Sequence, residues 1–371
     1  MPVPILDLAA EYRSLRADID AAVAAVVDRT AFVGGEAVQR FEAELAAYLG
    51  APHVLGVANG SDAIEIALQA LGVGPGDAVL TVPFTFAATV EAIVRCGATP
   101  RFVDIDDDYL IDVDAAGRLL TGQPIRAIIA VHLYGQPADL DRLVPLARRH
   151  GAALIEDAAQ AHGAWCTVAG ERRRAGTVGD VGCFSFYPTK NLGAMGDAGA
   201  VVTARADLAA RMRLIANHGD RSKYEHVIPD GRNSRLDAIQ AAVLRVKLPH
   251  LEAWNRARRA LAARYHAALA DLPLALPRQR PGVEQVYHQY AVRSVRRDAL
   301  QQALHARGIG TGIHYPRPLH LQEGWCHLGY GVGAFPVAER AAAEVLSLPM
   351  SPFLSPAEAD EVAAAVRAAS A

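Results

Sequence analysis

Over its first two-thirds the chain alternates short, continuously apolar runs with stretches whose apolar residues recur at helical spacing. "HVLGVA" reads as a strand and "SDAIEIALQAL" as the helix after it. "DAVLTV", "TPRFVDI", "IRAIIAVHL" and "AALIED" read as further strands, with "AATVEAIVRC" and "ADLDRLVPLARRH" as helices among them. "DVGCFSFY" and "AGAVVT" add two more strands. A strand that is apolar along its whole length has both faces covered. The pattern therefore predicts a layered α/β sheet with right-handed crossovers. After "NSRLDAIQAAVLRVKL" the pattern changes. A long helix is expected over 251–269, followed by the linker "LPLALPRQRPG". A strand, "HQYAVRSV", and helices over 297–306, 335–346 and 356–369 complete a smaller C-terminal unit.

Composition excludes several classes of function. The 371 residues carry a formal charge of -3, which gives no electrostatic case for binding nucleic acid or an anionic membrane. The basic runs "ERRRAG" and "RARRA" read as a solvated loop and a solvated helix face. No apolar run reaches spanning length, and Asp7 and Glu11 interrupt the N-terminal segment, which does not read as a signal peptide. Cys96, Cys166, Cys183 and Cys326 show neither CxxC nor metal spacing and read as buried thiols of a cytoplasmic protein.

Three stretches carry chemistry. In "EDAAQAHGA" an apolar strand ends in Glu156 and Asp157, at the carboxyl edge where ligands bind in open α/β sheets. Asp157 can meet a buried cation there, or cap a following helix. In "NGSDAIEIAL" a strand passes through Asn-Gly into a helix, with Ser61 as the expected N-cap. Free N–H groups at such a start suit a phosphate, although an ordinary capped connection looks the same in sequence.

The third stretch is "FSFYPTKNLGAMGDAGA". The chain has 37 Lys+Arg, of which only Lys190, Lys223 and Lys247 are lysine. A lysine in a semi-dry pocket forms a Schiff base, which a guanidinium does not. Lys190 is the candidate for that role, with a surface loop lysine as the plain alternative. Lys247 falls in an amphipathic stretch and reads as a surface charge, and Lys223 has no chemical role. A phosphate site, a carboxylate for a ring nitrogen and a Schiff-base lysine together describe pyridoxal phosphate binding.

On these residues, and on "FVGGEAVQRFEAELAAYLG", "GPGDAVLTVPFTFAAT", "VHLYGQPADLD", "GRNSRLDAIQAAVL" and "HYPRPLH", the chain resembles the sugar aminotransferases of the DegT/DnrJ/StrS family. The resemblance covers nearly the whole chain. It implies the aspartate-aminotransferase-like (type I) pyridoxal-phosphate fold, with a large mixed-sheet α/β/α domain over 1–245 and a small α+β domain over 246–371. It implies that Lys190 forms the Schiff base with the cofactor and that Asp157 pairs with the ring nitrogen. Gln160 would contact the ring hydroxyl and Phe86 would stack on the ring. Gly60, Ser61, Asp62 and Ser185 would hold the phosphate, and Asn233 would reach the phosphate of the neighbouring subunit's cofactor in a homodimer with shared sites.

The loop "HYPRPLH" is stiffened by Pro316 and Pro318, and it offers His314, Tyr315 and His320 for hydrogen bonding; a plain proline-rich turn is the alternative. The resemblance places this loop, with Tyr187, at a nucleotide-linked keto sugar. The pattern looks closest to enzymes that aminate a 3-keto carbon, with a dTDP-linked 3-keto-6-deoxyhexose as the expected acceptor and L-glutamate as the donor, which leaves as 2-oxoglutarate. A 4-keto or UDP-linked sugar is the alternative. Relatives that act as dehydratases carry His in place of the lysine. A nicotinamide-dependent oxidoreductase needs a GxGxxG turn, which "GVGPG" does not supply. A non-catalytic regulatory protein is the remaining rival.

Overall fold

The structure, a computed structural model, describes residues 2–370. Two helices, α1 (Leu8–Asp28) and α2 (Gly35–Leu49), precede an alternating stretch. That stretch runs β1 (His53–Val57), α3 (Gly60–Ala70), β2 (Ala78–Thr81), α4 (Ala88–Arg95), β3 (Thr99–Phe102), α5 (Val113–Gly122), β4 (Ala127–Val131), α6 (Leu140–Arg149) and β5 (Ala153–Asp157). A hairpin, β6 (Trp165–Val168) with β7 (Glu171–Arg174), comes before β8 (Val181–Ser185) and β9 (Gly199–Thr203). Then follow α7 (Ala206–Ala216), the hairpin β10 (Asp220–Ser222) and β11 (Glu225–His226), α8 (Ala238–Lys247) and α9 (Leu251–Leu269). The remainder holds β12 (Val283–Glu284), β13 (Tyr290–Arg293), α10 (Arg297–His305), α11 (Pro336–Glu344), β14 (Val345–Leu348) and α12 (Pro356–Ser370).

Seven strands form one sheet in the order β1-β9-β8-β5-β4-β2-β3. Neighbours are parallel from β8 to β3, while β9 runs antiparallel to both β1 and β8. This is the mixed α/β sheet of the type I fold. Strand alternation sends Ala127 and Ile129 to one face, where α3, α4 and α7 pack, and Ile128 and Ala130 to the other, with α5 and α6. Phe184, Phe186, Ala200 and Val202 continue the second face against α2 and α8. Burying a valine or phenylalanine of this core contributes about 1.5–3 kcal/mol. A separate core joins Tyr265, Tyr290, Leu304, Leu346 and Val362, with Val3 from the N-terminus.

Several expectations change. The helix expected over 335–346 stops at Glu344, and Val345–Leu348 pairs antiparallel with β13, because those four residues are wholly buried between helices. In "ERRRAG" Glu171, Arg172 and Arg173 are exposed, as expected, but they lie on strand β7 rather than a loop, and Arg174 is buried, with its guanidinium between the rings of Tyr48 (4.2 Å) and Trp165 (4.1 Å). "RARRA" does lie on α9, but its Arg258 is buried and donates to the Met350 carbonyl at 2.9 Å. Lys247 is not a surface charge: it is 4% exposed and pairs with Glu11 at 2.6 Å. Of the four thiols, Cys326 is exposed. Among the described residues no helix is long and apolar enough to cross a membrane, and no cluster of His, Cys, Asp or Glu could hold a metal ion.

Candidate active site

Strand β5 delivers two adjacent, buried carboxylates whose surroundings differ completely. Glu156 accepts four hydrogen bonds, from His132 Nε2 (2.9 Å) and the N–H groups of Gly176 (2.7 Å), Val178 (2.6 Å) and Gly179 (2.7 Å). Burial pushes its pKa up, but these donors hold it below the ordinary value. Asp157 accepts from Thr89 Oγ1 at 2.9 Å and from the Ala159 N–H at 3.2 Å. Burial dominates there and raises its pKa, despite those bonds and the charge of Lys190. No helix follows Asp157, so it caps none; the chain turns through 159–160.

Lys190 hangs in the loop between β8 and β9, half-buried, with its backbone N–H bonded to the Tyr187 carbonyl at 2.8 Å. Desolvation of its ammonium lowers the pKa to about 8, and the charge of Asp157 limits the fall. His162, which the sequence argument left unassigned, lies in the same field. It is buried against Phe184 (5.5 Å) and Phe186 (5.6 Å), and both of its ring nitrogens lack a partner. Burial, with Lys190 nearby, brings its pKa down to about 3, so it is neutral.

The helix start beside them is built on absent side chains. The N-cap of α3 is Asn59 rather than the expected Ser61; its Oδ1 accepts the Asp62 N–H at 2.8 Å. The Gly60 and Ser61 N–H groups occupy the first two helical positions, which have no intrahelical acceptor. A Cβ on Gly60 would stand 2.5 Å from Ser185 Cβ, and one on Gly199 would stand 2.5 Å from the Asn59 carbonyl carbon. Only glycine lets the helix start press against the ends of β8 and β9. Ser185 Oγ accepts from the Tyr187 N–H at 3.3 Å.

The aromatic wall comes from three segments. Phe86, 58% exposed, lies 6.3 Å from Tyr315, whose hydroxyl accepts from Gln160 Nε2 at 3.1 Å. Gln160 Oε1 accepts the Tyr134 N–H at 2.7 Å, and Tyr134 O–H donates to the His314 carbonyl. Tyr134 has φ 58°, a left-handed conformation that a bulky residue keeps only where its surroundings over-determine it. It sits in "VHLYGQPADLD" with no local signal beyond that motif; likewise Thr89 is an unmarked threonine of "PFTFAAT". His314 bonds Ser347 Oγ through Nδ1 at 2.9 Å, and burial lowers its pKa.

His320 is a correction. Its side chain is buried on Phe335 (4.8 Å) with Nε2 on Glu339 (3.1 Å), so it packs the loop instead of lining the cleft. Tyr187 is 52% exposed, and Asn233 is exposed just before α8. The site therefore brings together Lys190, Asp157, Gly60, Ser61, Asp62, Ser185, Gln160, Phe86, His314 and Tyr315.

These residues fit pyridoxal phosphate. A buried carboxylate without a cation at bonding distance suits a protonated ring nitrogen. A helix start closed to any Cβ suits a phosphate, and an exposed aromatic ring suits a stacked ring.

The sequence pattern of the DegT/DnrJ/EryC1/StrS aminotransferase family matches residues 13–367. The chain is 47% identical to a dTDP-3-amino-3,4,6-trideoxy-alpha-D-glucose transaminase of Streptomyces venezuelae, covering 98% of this chain and 95% of that one. It is 44% identical to a UDP-N-acetyl-3-dehydro-alpha-D-glucosamine 3-aminotransferase of Acidithiobacillus ferrooxidans, covering 98% and 97%. Its fold is similar to the crystal structure of S. venezuelae DesV in complex with a ketimine intermediate, at a TM-score of 0.95 and 47% identity, covering 99% and 98% of the two chains.

Proposed function

This chain belongs to the DegT/DnrJ/EryC1/StrS aminotransferase family, and from that premise we propose that it moves the amino group of L-glutamate to a 3-keto, 6-deoxy sugar carried on a nucleoside diphosphate. It is a pyridoxal-phosphate-dependent transaminase, and the relatives named above act on nucleotide-linked sugars. The observation that carries the reading is the pairing of an unbonded, desolvated Lys190 with an under-bonded, buried Asp157 beside the α3 start.

When bound, pyridoxal phosphate supplies an electron sink for a substrate carbanion. The chain supplies the rest. The Gly60 and Ser61 N–H groups and Ser185 Oγ bind the phosphate, in the first turn that also holds Asp62. Asp157 keeps the ring nitrogen protonated, held in place by Thr89. Phe86 would cover one ring face, and Gln160, which bonds Tyr315 at 3.1 Å, would meet the ring hydroxyl. Lys190 Nζ, its pKa lowered to about 8 by desolvation, loses its proton near neutral pH far more readily than a surface lysine. That amine takes the proton from the donor's α-carbon, a general-base step worth about 10²–10⁴-fold. His314, Tyr315 and Tyr187 face the sugar.

The same reading makes the protein a cytoplasmic homodimer. Phe32 and Val33 are exposed hydrophobics, as is Met195. The Phe32 carbonyl and the Met195 N–H both bond to α8, at Ala238 and Gln240, so these residues flank one helix. Asn233 lies exposed in the segment that leads into it. This supports a second copy covering that flank, with Asn233 reaching across. The separate core around Tyr265 and Tyr290 likewise supports a division into units near residue 246.

The test is a panel of 3-keto and 4-keto sugars on dTDP and UDP, with glutamate and pyridoxal phosphate, scored by 2-oxoglutarate release. Turnover is expected, fastest with the dTDP 3-keto compound. Glutamate consumption with no member of the panel aminated would reject the sugar acceptor.

A further inference from the structure

The loop that carries Lys190, from Tyr187 to Gly196, is held by side chains from outside the sheet, among them His288, whose Nδ1 lies 3.1 Å from Asn191 Oδ1. Asn191 Nδ2 donates to Asn255 Oδ1 of α9 at 2.9 Å and to the Val286 carbonyl at 3.1 Å. Gln240 Oε1 of α8 accepts the Met195 N–H at 2.8 Å. Between these two neutral amides, Lys247 Nζ donates to the Gly193 carbonyl at 2.7 Å. Its charge is matched by Glu11 of α1 at 2.6 Å, and both side chains are buried. A buried ion pair is a poor source of net stability. Here it fixes one carbonyl, three residues after Lys190, from two helices at once.

The loop transmits that constraint. Its turn is closed by Lys190 N–H to the Tyr187 carbonyl and by Ala194 N–H to the Phe186 carbonyl at 2.7 Å. A Cβ on Gly193 would stand 2.3 Å from the Pro188 carbonyl oxygen, so the two limbs of the turn are already in contact. A shift of Gly193 toward Pro188 therefore presses on the Pro188–Lys190 segment. We propose that Lys247 is a positioning residue for Lys190: by tying Gly193 to Glu11 it fixes where the Lys190 amine stands relative to Asp157. The proposal rests on reading Lys190 as the reacting amine.

Two full-length variants test it. Lys247→Arg keeps the charge for Glu11 but replaces a compact ammonium by a planar fork. The double change Glu11→Gln with Lys247→Met removes both charges together and leaves neither buried alone. The first readout uses protein freed of cofactor. Trinitrobenzenesulfonate labelling of Lys190, located by peptide mass, is followed against pH, with thermal unfolding as the control for folding. The second readout is the split between kcat and KM for glutamate. In both variants the labelling midpoint is expected to move by about one pH unit from its parent value near 8. kcat should fall about tenfold or more while KM for glutamate changes less than about threefold, with Lys247→Arg the milder of the two. A folded variant that keeps the parent labelling curve and the parent kcat overturns the proposal. Borohydride fixation of pyridoxal phosphate in the parent tests the underlying reading separately: absence of the label from Lys190 removes the reacting amine, whatever Lys247 does.

Discussion

At Lys247 a buried ammonium has a carboxylate at 2.6 Å and a carbonyl at 2.7 Å; at Lys190 the ammonium has neither, and its pKa falls to about 8. The carboxylates repeat the contrast. Glu156 is bonded on all sides and its pKa is drawn down, whereas Asp157 keeps two donors and its pKa rises. All four groups are desolvated, Lys190 only half-buried, yet only one member of each pair was given full compensation. A completed bonding shell makes a charge structural. An incomplete one leaves capacity for a substrate, a cofactor or a proton, and it leaves the folded state carrying the cost.

The largest effect is expected at Lys190. Lys190→Arg retains the charge and removes the imine-forming amine, so turnover should fall by about 10⁴-fold or more in a glutamate half-reaction, with the unfolding midpoint unchanged or higher. Turnover within tenfold of the parent would show that the lysine does no chemistry. Next come the two carboxylates, measured side by side. Asp157→Asn is expected to lower kcat by about 10²–10³-fold. Since its raised pKa means that the ionised form opposes folding above that pKa, the change should leave the cofactor-free protein as stable or more stable at neutral pH. Glu156→Gln should do the reverse. Its lowered pKa makes the carboxylate stabilising above the ordinary carboxylate range, a contribution lost as pH falls through the folded value. Removing the charge beside His132 and three N–H groups should cost about 3–5 kcal/mol in denaturant unfolding. Equal stability losses at the two positions would erase the distinction. The smallest effect is expected at Asn59→Ala, which frees the Asp62 N–H. It should cost about 1 kcal/mol in chemical unfolding and leave the phosphate cradle open, so a loss much beyond ~2 kcal/mol would mean Asn59 does more than cap.

What the sequence made legible follows from distance along the chain. The strands with both faces covered are continuous apolar runs, and the order of "NGSD", "EDAAQ" and "FSFYPTK" on such a sheet is enough to assemble Lys190, Asp157 and the Gly60 helix start. The hidden charges are those whose partners lie far away in sequence. Lys247 needs Glu11, Arg174 needs Tyr48 and Glu252, and His320 needs Glu339; read locally, each looks solvated or free to bind substrate. Val345 and Leu346 read as the end of the preceding helix because "AAAEVL" has helical spacing, and only the β13 partner makes Val345–Leu348 a strand. Asn59 and Ser61 both suit an N-cap, and the choice depends on which backbone begins the helix.

The position of β9 has a wider consequence. Parallel neighbours must be joined by a long crossover, usually a helix, whereas antiparallel neighbours need only a loop. The β8–β9 step is the one place in this sheet where consecutive strands pair antiparallel, and Lys190 lies in that link. The other links between paired strands of the sheet are committed to building the layers. This one carries no packing helix, so the chain there is held by its own side chains and by α1, α8 and α9 rather than by a layer: Leu192 and Ala194 are buried against α2 and α8, and Phe186 N–H meets the Ala198 carbonyl at 2.8 Å.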